Sequence, residues 1–335
     1  MRATAFEGDA REWDDLVAAS AAPHLTQTSG WAELKAVTGW GARRYRIDEG
    51  GLAQVLTKRL PLGIIVAYAP RGPIVPAERV PDAIAALRET LTSLRCASLL
   101  CDPEVPGDDA LLAALRKKGV HRSPVYVQPR RTLLMDLHQE PDALLAAMRK
   151  KTRQYIHKAE RAGVATEETP DLDRFLTVLK VVARRDGFAL HSREYFARIL
   201  SAFGERAHVL MARFEGEDVG AMMLARLGDR AFELYGGWSG AHDEARPFYL
   251  LKWRAMMRMR ALGAVRYDMW GLTDRGAGRD GAARSEDPLA GVENFKLGFG
   301  GEVVEWIGAL ETPVRRALYP LWRLGARRRL AASAA

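Results

Sequence analysis

Leu52-Ala53-Gln54-Val55-Leu56-Thr57-Lys58-Arg59-Leu60 and Val219-Gly220-Ala221-Met222-Met223-Leu224-Ala225-Arg226-Leu227 read as one strand written twice. An offset of 167 residues lays one over the other, with Arg59 on Arg226, Leu60 on Leu227 and, further on, Tyr68 on Tyr235. Apolar strands align by chance, so the order of the flanking elements has to decide. Around the first copy, strands are expected over 43–48, 52–60 and 63–69, parted by Glu49-Gly50-Gly51 and Pro61-Leu62-Gly63. A helix near 80–95, a buried strand over 97–101 ended by Asp102-Pro103, and a helix over 108–118 stopped by Gly119 follow. A helix over 9–20, with Trp13, Leu16 and Val17 at helical spacing, opens this half, and a strand over 132–137 closes it. The second copy follows helices over 142–163, 171–186 and near 193–202. Its strands, over 208–214, 219–227 and 231–236, lead to a helix over 247–262, a strand over 265–270, and strands near Phe295 and over 303–308. Meander, helix, strand thus occurs twice. This predicts an α/β (α+β) chain of two lobes, 1–140 with the tail 314–335, and 141–313, each a mixed, mostly antiparallel sheet flanked by helices.

Length and composition agree. At 335 residues, 48% hydrophobic and 27% charged, the chain is long enough for two ordinary cores and too long for a single stapled module. Cys96 and Cys101, five apart in an extended segment, fall on opposite faces, so no disulfide is expected. With no secretory signal and no cysteine framework, a reducing cytoplasm is the expected setting. The longest conspicuous uncharged run, over 60–70, is too short for a membrane span of about 20 residues. The net charge of +8 is uneven. Six arginines and no acid follow Pro313, and Arg149, Lys150, Lys151, Arg153, Lys158 and Arg161 face only Asp142 and Glu160. Two fields of one sign suit a polyanion, or simply solvate helix surfaces.

Several chemistries lack their residues. The seven histidines show no metal-ligand spacing with one another or with the cysteines, so no metal is expected. Gly237-Trp238-Ser239-Gly240 has Ala241 where a nucleophile elbow needs its second glycine. The lobe order is that of an acyl-CoA N-acetyltransferase, a GNAT lobe, but its Arg-x-x-Gly-x-Gly phosphate loop is missing. Gly237-Trp238-Ser239-Gly240-Ala241-His242-Asp243-Glu244 stands in that place, and its two acids would repel a pyrophosphate. The run Arg275-Gly276-Ala277-Gly278-Arg279-Asp280-Gly281 reads as a loop, because 285–288 breaks the chain where a helix would start.

Five ordered segments together resemble the FemABX aminoacyltransferases. They are Gln27-Thr28-Ser29-Gly30-Trp31-Ala32-Glu33-Leu34-Lys35; the basic run from Met148 to Val164; Pro247-Phe248-Tyr249-Leu250-Leu251-Lys252-Trp253; Tyr267-Asp268-Met269-Trp270-Gly271; and Gly291-Val292-Glu293-Asn294-Phe295-Lys296-Leu297-Gly298-Phe299-Gly300-Gly301. The resemblance covers nearly the whole chain. It implies two tandem GNAT-like lobes and transfer of an amino acid from aminoacyl-tRNA to the stem-peptide amine of a peptidoglycan precursor, lipid-linked or nucleotide-linked. It also implies action without a further cofactor, as a monomer. No sustained heptads are present, so this is a short form lacking the coiled-coil insertion. An acyl-CoA N-acetyltransferase, or a non-catalytic RNA- or membrane-binding adaptor, remain the alternatives.

The resemblance also assigns residues. Lys296 would stabilise the oxyanion formed as an amine attacks the aminoacyl ester; outside the motif it would be a strand-edge lysine facing water. Lys35 matches the lysine that contacts the precursor's diphosphate, or is an exposed helix lysine. Where the family has Arg-Ser-x-x-Tyr, this chain has His191-Ser192-Arg193-Glu194-Tyr195. Either Arg193 supplies the missing cation or that phosphate contact is lost; Tyr195 would orient the ligand, with Tyr235 and Tyr249 as further lining residues or core. Arg149, Lys150, Lys151, Arg153 and Lys158 would meet tRNA phosphates. Asp102 and Asp268, which end corresponding strands, are candidate bases, although the leaving ribose oxygen could take the proton itself. Ala317, Leu318, Leu321, Trp322 and Leu324 among the tail arginines could rest on an anionic membrane face.

Overall fold

The computed structural model describes residues 1–124, 126–272 and 289–323. The chain divides into two compact units, Met1–Arg130 with Glu305–Ala335, and Arg131–Val304. The strands in chain order are β1 (Ala3–Ala5), β2 (Trp40–Ile47), β3 (Gly51–Arg59), β4 (Ile65–Ala69), β5 (Cys96–Cys101), β6 (His121–Arg122) and β7 (Arg131–Asp136), then β8 (Ala165–Glu168), β9 (Ala207–Phe214), β10 (Glu217–Leu227), β11 (Arg230–Trp238), β12 (Arg266–Asp268), β13 (Glu302–Glu305) and β14 (Leu310–Pro313). The helices are α1 (Ala10–Ala18), α2 (Ser29–Ala36), α3 (Val80–Leu91), α4 (Asp109–Lys117), α5 (Pro141–Ala147), α6 (Lys150–Ala162), α7 (Leu172–Asp186), α8 (Arg193–Phe203), α9 (Pro247–Ala261), α10 (Leu289–Leu297) and α11 (Tyr319–Arg323).

The two sheets repeat one plan. The first runs β1-β2-β3-β4-β5-β14-β6, and the second, read from its other edge, β8-β9-β10-β11-β12-β7-β13. In each, an antiparallel meander meets one parallel neighbour, β5 beside β4 and β12 beside β11. The 167-residue offset survives as pairing register, since Leu56 opposes Tyr68 and Met223 opposes Tyr235. Parallel pairing requires a crossover, supplied by α3 and α9. On α3, Val80, Ile84, Leu87 and Leu91 recur on one face and are buried in the first core with Val55, Ala67 and Leu99. Each such side chain contributes about 1.5–3 kcal/mol by leaving water. The second core gathers Met222 and Leu224 from β10, Leu251, Met256 and Met259 from α9, and Tyr267.

Five expectations change. The strand expected to close the first lobe, β7, instead pairs antiparallel with β12, and β14 pairs antiparallel with β5. The sheets therefore exchange their closing strands, and the division falls at 130/131 and 304/305 rather than 140/141 and 313/314. Local pattern cannot foresee this, because both sheets offer the same place to an apolar strand. The helix expected over 142–163 breaks between α5 and α6. Met148 and Arg149 turn extended (ψ 155° and 141°), the Arg149 N–H donates to the Gly298 carbonyl, and Arg153 donates to the carbonyls of Ala146 and Met148. Phe295 and Lys296 lie on a helix, α10, not a strand; Phe295 and Phe299, four apart, both pack on α9 aromatics. Cys96 and Cys101 are free and share one core, since a bulge in the β4–β5 pairing resets the alternation. The glycine-rich run 275–281, the break at 285–288, Leu324 and the arginines at 327–329 lie outside the described residues. Trp322, expected on a membrane face, is buried in the first unit and donates through Nε1 to Glu311 Oε1 at 2.9 Å. No helix among the described residues is long and apolar enough to cross a membrane.

Candidate functional site

Four consecutive residues of β11, Glu233 to Gly236, border one cavity of about 310 Å³. A regular strand would present only alternate residues to it. The register explains the difference: Met223 opposes Tyr235 but Leu224 opposes Glu233, so Leu234 is an inserted residue, a β-bulge of the kind that re-aims side chains beside functional sites. From α9, Lys252 is 2% exposed and donates to both Glu233 oxygens, at 2.7 and 2.6 Å, while the Tyr267 hydroxyl donates to Glu233 Oε1 at 2.8 Å. The Lys252 ammonium also lies 5.5 to 5.9 Å from the ring centres of Phe248, Phe295 and Phe299. Glu233 and Lys252 escaped the sequence reading. Their signal was a lone charge in an apolar strand and a lysine four residues after Phe248 on a helix's buried face.

Lys296, on the last turn of α10, borders the same cavity. Its Nζ donates to the carbonyls of Met269, Trp270 and Gly271 at 2.8, 2.8 and 2.9 Å. An ammonium has three donors, so this one fastens the turn after β12, where Trp270 adopts a positive φ of 51°. Burial lowers the Lys296 pKa to about 8, against the pull of the Glu233 carboxylate. The cavity therefore holds two ammonium groups and one carboxylate, an environment suited to negative charge. A second cavity, about 410 Å³, shares Gly236, Phe248, Val292 and Phe295 with the first and reaches Trp238, Arg246 and Tyr249.

The expected tyrosines gather here. Tyr235 lines the first cavity and donates through its hydroxyl to the Tyr195 hydroxyl at 3.3 Å; burial raises both phenol pKa values. His191, in the family arginine's place, stacks on Tyr195 with ring centres 4.0 Å apart. Arg193 is exposed on the first turn of α8. It turns outward and grips Asp173 through Nε and Nη2 at 2.7 and 3.0 Å. Tyr249 borders the second cavity and meets Tyr155 edge-on at 4.9 Å.

Asp268 is buried and accepts from Thr132 Oγ1, from Arg230 Nη2 at 2.5 Å and from the Trp270 N–H at 2.8 Å, and it borders neither cavity. It holds β7, β11 and the 269–271 turn together. In the first unit Asp102 accepts from the Tyr68 hydroxyl at 2.7 Å and the Arg71 N–H at 2.5 Å, and burial lifts its carboxyl to about 6. Lys35, on α2, is 4% exposed, sits 4.9 Å over the Trp31 ring, and has its pKa lowered to about 8 by burial; it is no exposed helix lysine. The start of its motif is architecture. Gln27 donates to the Pro70 carbonyl at 2.6 Å and accepts from the Gln54 N–H at 2.7 Å, and Thr28 caps α2. On α6, Lys150, Lys151 and Lys158 are exposed; Arg149, the residue before α6, is exposed too and donates to Asn294 Oδ1 at 2.7 Å, and Arg153 donates to backbone carbonyls.

The FemAB family model matches residues 9–111, 113–219 and 215–326. The chain belongs to the FemAB family. FemX, as a crystal structure, superposes with a TM-score of 0.85 at 22% identity over 96% of this chain and 99% of that one. A tandem GNAT protein from the clavulanic acid biosynthesis pathway gives 0.51 at 15% identity over 94% and 98%. The fold is thus the tandem GNAT-like one that the repeat and the resemblance implied. Among curated relatives, the lipid II:glycine glycyltransferase of Staphylococcus aureus (strain MRSA252) is 30% identical over 214 residues, which is 58% of this chain and 51% of that protein. The chain spans about half the length of the curated relatives it matches.

Proposed function

We propose that this FemAB-family chain is an aminoacyltransferase that moves an amino acid from aminoacyl-tRNA to the stem-peptide amine of a peptidoglycan precursor. The observation that carries the reading is the cavity in which Lys252 and Lys296 outnumber Glu233. The acceptor nitrogen attacks the ester carbonyl carbon, the C–N bond forms as the carbonyl electrons move to oxygen, and collapse expels the ribose oxygen, which takes the proton released by nitrogen. Negative charge develops on the carbonyl oxygen and then on the leaving oxygen, and the two ammonium groups favour both. Lys296 acts on that charge through its field and by fixing the 269–271 turn, since its three donors already hold carbonyls. The activated ester supplies the driving force, so no further cofactor enters. Lys150, Lys151 and Lys158 on α6 would receive tRNA phosphates, and Lys35 the precursor's diphosphate. The name of the S. aureus relative favours lipid II as acceptor. An acyl-CoA donor is disfavoured: α9 begins without a glycine loop, and Asp243 borders the cavity where a pyrophosphate would lie.

The test is incubation of the pure chain with a mixed pool of charged tRNAs and both precursor forms, followed by mass analysis. A precursor heavier by one or more amino-acid residues is expected. No mass gain with tRNA, or acetylation with acetyl-CoA, overturns the reading.

A further inference from the structure

One end of the first sheet carries an apolar tip within a basic rim. Register fixes the membership of that end: Trp40 opposes Lys58, Arg59 opposes Ile65, Ile65 sits beside Cys96, and Ser98 opposes Pro313. The segments leaving it, 36–40, 58–65, 92–96 and 313–316, contain Lys58, Arg59, Arg95, Arg315 and Arg316 and no acid. Arg59, Arg95 and Arg316 are exposed. Arg315 donates to the Thr92 carbonyl at 2.8 Å, joining the last segment to the turn before β5. At the β3–β4 turn Leu62 is 79% exposed, more than any other large apolar side chain among the described residues, and it is held at φ 62°, where glycine is favoured. Val37, 51% exposed, lies on the α2–β2 turn at the same end.

We infer that this end of the first unit is a docking surface for an anionic lipid bilayer, with Leu62 entering the headgroup boundary and Arg59, Arg95 and Arg316 meeting lipid phosphates. Charge complementarity fixes the partner's sign. The exposed aliphatic tip selects a bilayer over RNA, whose phosphates reward the rim but leave Leu62 in water. The surface stands apart from the transferase reading; if both hold, a lipid-linked acceptor follows.

The test uses the full chain with Leu62→Cys, labelled with an environment-sensitive dye. Both native thiols are buried, and burial pushes Cys96 up to about 12, so the new thiol reacts alone. With vesicles of phosphatidylcholine carrying about 30% phosphatidylglycerol, an anionic surface, the label should shift to the blue and be quenched by brominated acyl chains; neutral vesicles should do neither. Arg59→Gln with Arg95→Gln should lower vesicle partitioning by about 25-fold, roughly fivefold per cation. Leu62→Gly, which suits the backbone there, should lower it by about tenfold. Absence of vesicle binding, binding with the label unshifted, or a shift caused by tRNA and not by vesicles would each overturn the inference. A chain that docks but transfers nothing would defeat the proposed function alone.

Discussion

Lys296 lies in surroundings that lower its pKa to about 8, so its contribution should have a pH signature. The ammonium stabilises developing negative charge only while protonated. The ratio of the wild-type rate to that of Lys296→Met should therefore be largest below pH 8 and fall as pH rises through it, and ionisation of the acceptor amine cancels in the ratio. A ratio flat from about pH 7 to 9.5, on either side of that ionisation, would mean the residue acts only through the turn it holds. Lys252 is a different case. It lies within 3 Å of both oxygens of a buried carboxylate, and Lys252→Met leaves that charge facing the Tyr267 hydroxyl, its other donor at 2.8 Å. Urea unfolding should report a loss of about 3–5 kcal/mol, much of it recovered on adding Glu233→Gln. Lys296, Tyr235 and Tyr249, which border the cavities, were marked in the sequence by motif and repeat. Glu233 and Lys252 were not, because a charge on an apolar face gives no sign of its partner until strand register and helix packing bring the two together.

Strand and helix types followed from periodicity and punctuation, and β3, β10, α7 and α9 lie within two or three residues of their expected bounds. The failures occur where a tertiary contact overrides local preference. The α5–α6 break depends on the tight approach of α10's last turn: a Cβ on Gly298 would lie 2.6 Å from Thr152 Oγ1 and 3.0 Å from the Phe295 carbonyl. Gly298→Ala should therefore destabilise the second unit by about 1–3 kcal/mol, measurable as a lowered urea midpoint. An unchanged midpoint would show that the turn has room to spare. The Leu234 bulge was equally hidden, since it exists only in the pairing of β11 with β10.

Across the whole chain, the repeat predicted two sheets of one design but not the exchange of their closing strands, because nothing local distinguishes the place beside β5 from that beside β12. The consequence is testable by truncation. A fragment of residues 1–140 lacks β14 and carries β7 with no sheet to join; it should fail to give cooperative unfolding. Residues 1–130 joined through a flexible linker to 305–335 should restore it, and a cooperative 1–140 fragment would contradict the exchange.

The most direct test of the central claim is single-turnover transfer from one charged tRNA to a purified precursor by wild type and Lys296→Met, with tRNA affinity measured on the same preparations. The account predicts that the substitution slows product formation by about 10²–10³-fold with tRNA affinity within about twofold, a change below 0.5 kcal/mol. Transfer by Lys296→Met at the wild-type rate would contradict it.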